Sequence, residues 1–366
     1  GFASVRQCND TIRQVFADTP RGLRARAAHA GGPRNEHGGA EPSPRSTAPM
    51  GVPSISLRLP CRQPFDPSSV LAFLGARVVP GVESYAGGCY RRGVRLPHGP
   101  AVVSLRAPQS GARHAGRGGP AFVECELALS DLRDLSTAVS RCRHLLDLDA
   151  DPVAVVAVLG ADPLLAPVVA HQPGRRMAGT VDGFELAVRA VIGQQVSVAG
   201  ARTVAGRLVA AAGEPLPLPH GAVTALFPTP EALADLARRD PGAFAMPAAR
   251  RRALGALAES VASSDLVLDP GAHPGDARRT LVALPGIGPW TAEYVAMRAL
   301  RDPDAFLPTD LGLRRAAGAL GLPGEPAALE ARSERWRPWR SYAMAHLWAL
   351  PATPRTQNPL TKGRAA

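Results

Sequence analysis

The run Leu284-Pro285-Gly286-Ile287-Gly288-Pro289-Trp290 reads as a helix end, a tight turn and a new helix start. Gly286 and Gly288 let the chain turn sharply and let another backbone come close. Pro289 suits the first turn of a helix, where its missing N–H is no loss. The free N–H groups of such a helix start, backed by its dipole, form a site for phosphate. A plain corner between packed helices would use the same residues, so this run does not decide alone. Asp310, after Pro308-Thr309 and before another helical run, is the next candidate. An Asp there caps a helix. It can also set a negative charge, favoured by the helix dipole, beside a sugar that turns cationic as its glycosidic bond breaks. Such a carboxylate stabilises that transition state and can orient or deprotonate an attacking water.

Trp290 has Tyr294 one helical turn on, on the same face. Their rings can pack a core or present an electron-rich wall that attracts a cation. The only lysine is Lys362, near the C-terminal end, so Schiff-base chemistry has no amine in the main body of the chain. Cys8, Cys61, Cys89, Cys125 and Cys142 include no C-x-x-C pair, which argues against a structural zinc, an iron–sulfur cluster or a disulfide scaffold. The net charge of +11 favours a polyanionic partner, although a coding bias toward Arg would raise it too. No apolar run is long enough for a membrane span and no signal segment opens the sequence, so a cytoplasmic protein without a membrane partner is expected.

These residues need a scaffold, and the pattern changes character along the chain. Residues 2–24 have helical spacing that stops at Thr19-Pro20, and residues 25–52 have the composition of a flexible linker. Strand-like alternation starts at Ile55, Leu57 and Leu59. A helix over Val70–Val78 follows, then strands over Cys89–Leu96, Ala101–Arg106 and Ala121–Leu129, then helical spacing over 131–158. From Asp182 onward no strand is expected. Helices are predicted over 182–212, 230–238, 248–263, 276–284, 289–300, 310–320 and 339–350. The predicted fold is an α+β N-terminal domain (53–170) followed by an all-α helix-hairpin-helix domain (171–352), with a disordered tail over 353–366.

Pro285-Gly286-Ile287-Gly288, Trp290, Phe306-Leu307-Pro308 and Asp310 together resemble the hairpin and essential aspartate of AlkA-type 3-methyladenine DNA glycosylases. Val181-Asp182-Gly183-Phe184 through Gly193-Gln194-Gln195-Val196-Ser197, Phe227-Pro228-Thr229-Pro230, Met246-Pro247, Trp336-Arg337-Pro338-Trp339-Arg340-Ser341-Tyr342 and Trp348 extend the resemblance over about 300 residues. It implies a base-excision repair enzyme acting on double-stranded DNA with alkylated bases such as 3-methyladenine and 7-methylguanine. It makes Asp310 the catalytic carboxylate and Trp290, Tyr294, Trp348, Phe73 and Phe65 the base pocket. Gln195 stands at the family's DNA wedge, often a Leu. Pro285, Gly286, Ile287 and Gly288 would grip the backbone. Trp290 replaces the lysine of bifunctional relatives, which implies a monofunctional hydrolase with water as nucleophile. No cofactor is implied beyond a structural Na+ or K+ on the carbonyls of Val282, Leu284 and Ile287, and a monomer is expected. Gly1-Phe2-Ala3-Ser4, Phe16, Thr19-Pro20 and Leu23-Arg24 resemble the tail end of an AraC/Ada-type helix-turn-helix, which implies a fusion of regulator and glycosylase. The alternative is a DNA-binding transcriptional regulator or damage sensor without catalysis.

Overall fold

The computed structural model describes residues 54–108, 121–244 and 246–350, with Arg21. The helix-turn-helix remnant (apart from Arg21), the linker and the tail lie outside the described residues.

Strands β1 (Ser54–Cys61), β2 (Glu83–Ala86), β3 (Cys89–Leu96), β4 (Gly99–Arg106) and β5 (Ala121–Leu129) form one antiparallel sheet in the order β1-β5-β4-β3-β2. Alternation sets its inner face: Leu57 and Leu59 on β1 meet Val123, Cys125, Leu127 and Leu129 on β5. Helix α1 (Pro67–Gly75) covers that face with Val70, Leu71 and Leu74. It starts earlier than expected because Asp66 caps it at Ser68 N and Pro67 opens its first turn. Helix α2 (Leu135–Leu145) adds Ala138, Cys142 and Leu145.

The remaining helices are α3 (Pro152–Leu159), α4 (Ala166–His171), α5 (Gly183–Ile192), α6 (Val198–Ala212), α7 (Pro230–Arg239), α8 (Ala248–Ala262), α9 (Pro274–Ala283), α10 (Pro289–Ala299), α11 (Leu311–Ala319), α12 (Pro326–Ser333) and α13 (Arg340–Trp348). They bury two cores. One joins α5 to α10, and the other joins α3 and α4 to α11, α12 and α13 around Phe306, Leu307 and Trp336. Met297 of α10 lies in the second core while Ala292 and Val295 lie in the first, so α10 is shared between them.

Two expectations are corrected. The expected helix 182–212 is broken at 193–197, where Ser197 caps α6 at Gly200 N. The helical spacing over 131–158 resolves into two helices, separated by the Asp151 cap of α3. The expected absence of strands beyond Asp182 does not hold, because β6 (Glu214–His220) and β7 (Val223–Leu226) form a hairpin. Pro215, Pro217 and Pro219 hide β6 from a strand reading, since proline removes ladder donors. The hairpin docks on the outer face of the sheet through Leu216, Val223 and Leu226 against Val102, and Gly81 O accepts from Thr224 N (2.7 Å) and Ala225 N (3.0 Å). No helix among the described residues is long and apolar enough to cross a membrane.

Candidate active site

Asp310 caps α11: its Oδ1 accepts from Leu313 N at 2.7 Å, as an N-cap carboxylate does. It is also held from two other elements. Trp290 Nε1, at the start of α10, donates to Oδ2 at 3.1 Å, and Trp348 Nε1, at the end of α13, donates to Oδ1 at 3.0 Å. Three donors therefore fix the carboxylate, two of them indoles that also form aromatic surface. Gly312 makes room for this, since a Cβ there would lie 3.2 Å from Asp310 Oδ1 and 3.8 Å from the Trp348 ring.

The carboxylate lies in the wall of a cavity of about 400 Å³ between the sheet domain and the helices. Phe73, Trp290, Tyr294 and Trp348 line it. Trp290 and Tyr294 stack with centroids 5.2 Å apart and planes within 7°. Phe65 is not in this wall. It packs against the sheet core with the Arg176 guanidinium 5.2 Å from its ring centroid. The sequence reading missed the basic members of the wall, Arg77, Arg175, Arg176 and Arg298. Two were legible: Arg298 follows Tyr294 at the one-turn spacing that keeps residues on one helix face, and Arg77 follows Phe73 at the same spacing, just past the end of α1. Arg298 Nη1 donates to the Tyr294 hydroxyl at 2.6 Å. Burial pushes the Tyr294 phenol up, but Arg298, Arg77 and Arg189 outweigh it and hold it below its ordinary value.

The hairpin between α9 and α10 turns through Gly286, whose φ of +76° a residue with a side chain rarely adopts. The Ile287 side chain is buried in the first helical core, which pins the turn, while Pro285 and Gly286 are exposed. The N–H groups of Gly286, Gly288 and Trp290 have no hydrogen-bond partner among the described residues. Gln195 is exposed in the turn between α5 and α6 and has a φ of +57°. Its neighbour Gln194, another residue the sequence reading missed, ties that turn to the hairpin. Its Nε2 donates to Gly286 O (3.2 Å) and Thr291 Oγ1 (3.1 Å).

Behind the cavity, Asp147 Oδ2 accepts from Tyr342 of α13 (2.8 Å) and from Met177 N of the cavity wall (3.3 Å). Burial pushes this carboxyl up to about 6, against the pull of Tyr342, Arg176 and Met177. A carboxyl whose pKa is raised by folding favours the fold below its unfolded value near 4, and that advantage is lost as pH rises through about 6. Asp147→Asn keeps one oxygen for both donors and suits the positive φ of this position. We predict that it raises stability at pH 8 by on the order of 2 kcal/mol and flattens the loss of stability between pH 5 and 7. Thermal denaturation across that range checks this, and parallel curves for both proteins would refute it.

A hairpin with free backbone donors, beside an aromatic cavity that holds one carboxylate, is the arrangement of a helix-hairpin-helix DNA glycosylase. Residues 56–182 match the family described as the AlkA N-terminal domain. The chain is 51% identical over 359 residues to the probable bifunctional transcriptional activator/DNA repair enzyme AlkA of Mycobacterium tuberculosis, covering 98% of this chain and 67% of that one. It is 36% identical over 290 residues to DNA-3-methyladenine glycosylase 2 of Escherichia coli, covering 78% of this chain and 94% of that one. Its fold is similar to that of the 3-methyladenine DNA glycosylase from Archaeoglobus fulgidus, with a TM-score of 0.67 at 20% identity over 80% of this chain and 96% of that one. This chain belongs to the AlkA family of DNA glycosylases.

Proposed function

We propose that the chain is a monofunctional glycosylase that hydrolyses the N-glycosidic bond of alkylated purines of the 3-methyladenine and 7-methylguanine type in duplex DNA. The observation that carries this reading is the Asp310 carboxylate, held by Trp290, Trp348 and Leu313 N in the wall of an aromatic cavity. A base inside a stacked duplex cannot reach that cavity and must be flipped out. The free N–H groups of Gly286, Gly288 and Trp290 suit a phosphate, and the exposed Gln195 stands beside them through Gln194 to fill the gap. As the base leaves, positive charge grows on the sugar, and the fixed carboxylate stabilises it more in the transition state than in the ground state. Water completes the reaction, because the described residues contain no lysine to attack the sugar.

The backbone carbonyls of Val282 and Ile287 accept no backbone hydrogen bond among the described residues, and that of Leu284 accepts one, from Ile287 N at 3.2 Å. This set of oxygens fits a Na+ or K+ ion, which would brace the hairpin and takes no part in the chemistry. No other cofactor is needed for the hydrolysis. The chain acts as a monomer on one DNA site, and its gene product joins a regulator to the glycosylase, in keeping with the Mycobacterium tuberculosis relative, whose name calls that protein a bifunctional transcriptional activator/DNA repair enzyme.

Incubation with methylated duplex DNA should release 3-methyladenine and 7-methylguanine and leave abasic sites that break only on heating or with added base. Breaks without that treatment would overturn the monofunctional assignment. DNA binding with no base released would favour a damage sensor.

A further inference from the structure

The base cavity is rich in positive charge. Arg77, Arg175, Arg176 and Arg298 stand in its wall, and Asp310 is the only carboxylate there among the described residues. Two of these guanidinium groups cover the aromatic surface that would attract a cationic base. Arg77 Cζ lies 3.8 Å from the Phe73 ring centroid and Arg298 Cζ lies 5.2 Å from it. Arg298 is also 5.5 Å from the Tyr294 centroid. Arg298 is engaged through all three guanidinium nitrogens, donating to Ala178 O (2.7 Å), Gly179 O (3.0 Å) and the Tyr294 hydroxyl (2.6 Å). Arg77 is not. Its one side-chain hydrogen bond runs back to Phe73 O of α1 (3.1 Å), and it forms no ion pair among the described residues. It is a partly buried cation with donors to spare, facing the place where a flipped base would sit.

Resting on the glycosylase reading above, we propose that Arg77 determines specificity by charge: it disfavours binding of cationic lesions and assists departure of neutral purines that carry acceptor atoms, such as hypoxanthine. The two effects fall on different steps. A cationic base meets Arg77 and Arg298 in the bound state, and its charge then moves to the sugar as the bond breaks. The penalty therefore falls on binding. A neutral base leaves with the bonding pair, and Arg77 and Arg298 offset the negative charge that develops on it. Water adds its oxygen to the sugar carbon, and the proton it releases neutralises the departed base. Here the benefit falls on the chemical step. Burial lowers the Arg77 pKa, Tyr294 opposes that, and Arg298 and Arg189 add to it, so another cation in the cavity meets an environment already short of negative charge.

The test is single-turnover base release, with enzyme concentration varied, from duplexes carrying one hypoxanthine or one 7-methylguanine. Arg77→Met keeps the packing on Phe73 and removes the charge, and Arg77→Lys keeps the charge. For Met, the maximal rate on hypoxanthine should fall about tenfold and the half-saturating enzyme concentration on 7-methylguanine should fall about tenfold, with Lys near wild type on both. The split between rate and saturation, and its rescue by Lys, are effects that a mere packing role would not produce. Equal changes on both lesions, no change on either, or release of 7-methylguanine alone by the wild type would overturn the proposal and leave the glycosylase reading standing. Release of neither base by the wild type would overturn both.

Discussion

Asp310→Asn should bind methylated duplex DNA at least as tightly as the wild type and release base a hundredfold to about a thousandfold more slowly. The variant is nearly isosteric, so the geometry shows why so small a change matters. Oδ1 takes the Leu313 N–H and the Trp348 indole, and an amide oxygen can do the same. Oδ2 takes the Trp290 indole, and there the amide presents N–H to N–H. Two defects follow: the charge beside the sugar is gone, and the Trp290 ring loses the contact that sets its plane against Tyr294. Binding is spared because the hairpin donors lie on a separate element, and removing a negative charge can only help a polyanion approach. Single-turnover rates and a binding titration at fixed salt measure both parts. A rate within tenfold of the wild type would show that Asp310 is a helix cap and nothing more.

How far the sequence reaches depends on how local each feature is. Alternation along β5 and the Pro289 start of α10 are properties of short stretches, so the α+β region and most of the helices were legible, while α4 and α12 were not predicted although Pro326 opens α12. The β6–β7 hairpin was not, because Pro215, Pro217 and Pro219 contradict strand propensity and only docking on the sheet through Leu216 justifies them. Asp310 shows the same limit within the site. Its sequence neighbourhood suits both a helix cap and a charged carboxylate, and resemblance alone favoured the second reading. The indole of Trp348 reaches it from α13, a contact that no spacing rule encodes. Phe65 and Phe73 look alike on paper, yet only Phe73 stands in the cavity wall, because α1 turns one ring toward Tyr294 and Arg298 and leaves the other outside. Arg175 and Arg176 come from an irregular segment without periodicity, so only the folded chain brings them to the cavity.

The contact that orients the sheet domain against the helices is also the place where one substitution should cost most stability. Glu83 and Arg92 of the sheet and Glu185 and Arg189 of α5 form a network in which all but Arg189 are buried, with as many positive as negative charges. Arg92 donates to Glu185 (2.6 Å) and Glu83 (3.3 Å), and Arg189 bridges Glu83 (3.0 Å) and Glu185 (2.9 Å). Tyr90 and Val79 N add donors to Glu83. Burial alone would push the Glu83 carboxyl up, but Arg189, Arg92 and these donors outweigh it and hold it below the usual range. Its contribution to stability is thus present at neutral pH and is lost on acidification through that lowered value. Arg92→Met fills much the same volume but leaves two buried carboxylates facing one guanidinium, and we expect a loss of about 3–5 kcal/mol. Arg92→Met with Glu185→Gln restores the balance of charge and should recover part of that loss, which a cavity or packing defect would not allow. Arg189 also donates to Arg77 O at 2.6 Å, and α5 leads into the turn that carries Gln195. The same variant should therefore lower base release at temperatures where it is still folded. Denaturant unfolding of the single and double variants decides the matter: a single variant within 1 kcal/mol of the wild type, on the order of a surface ion pair, would mean that apolar packing alone joins the two halves.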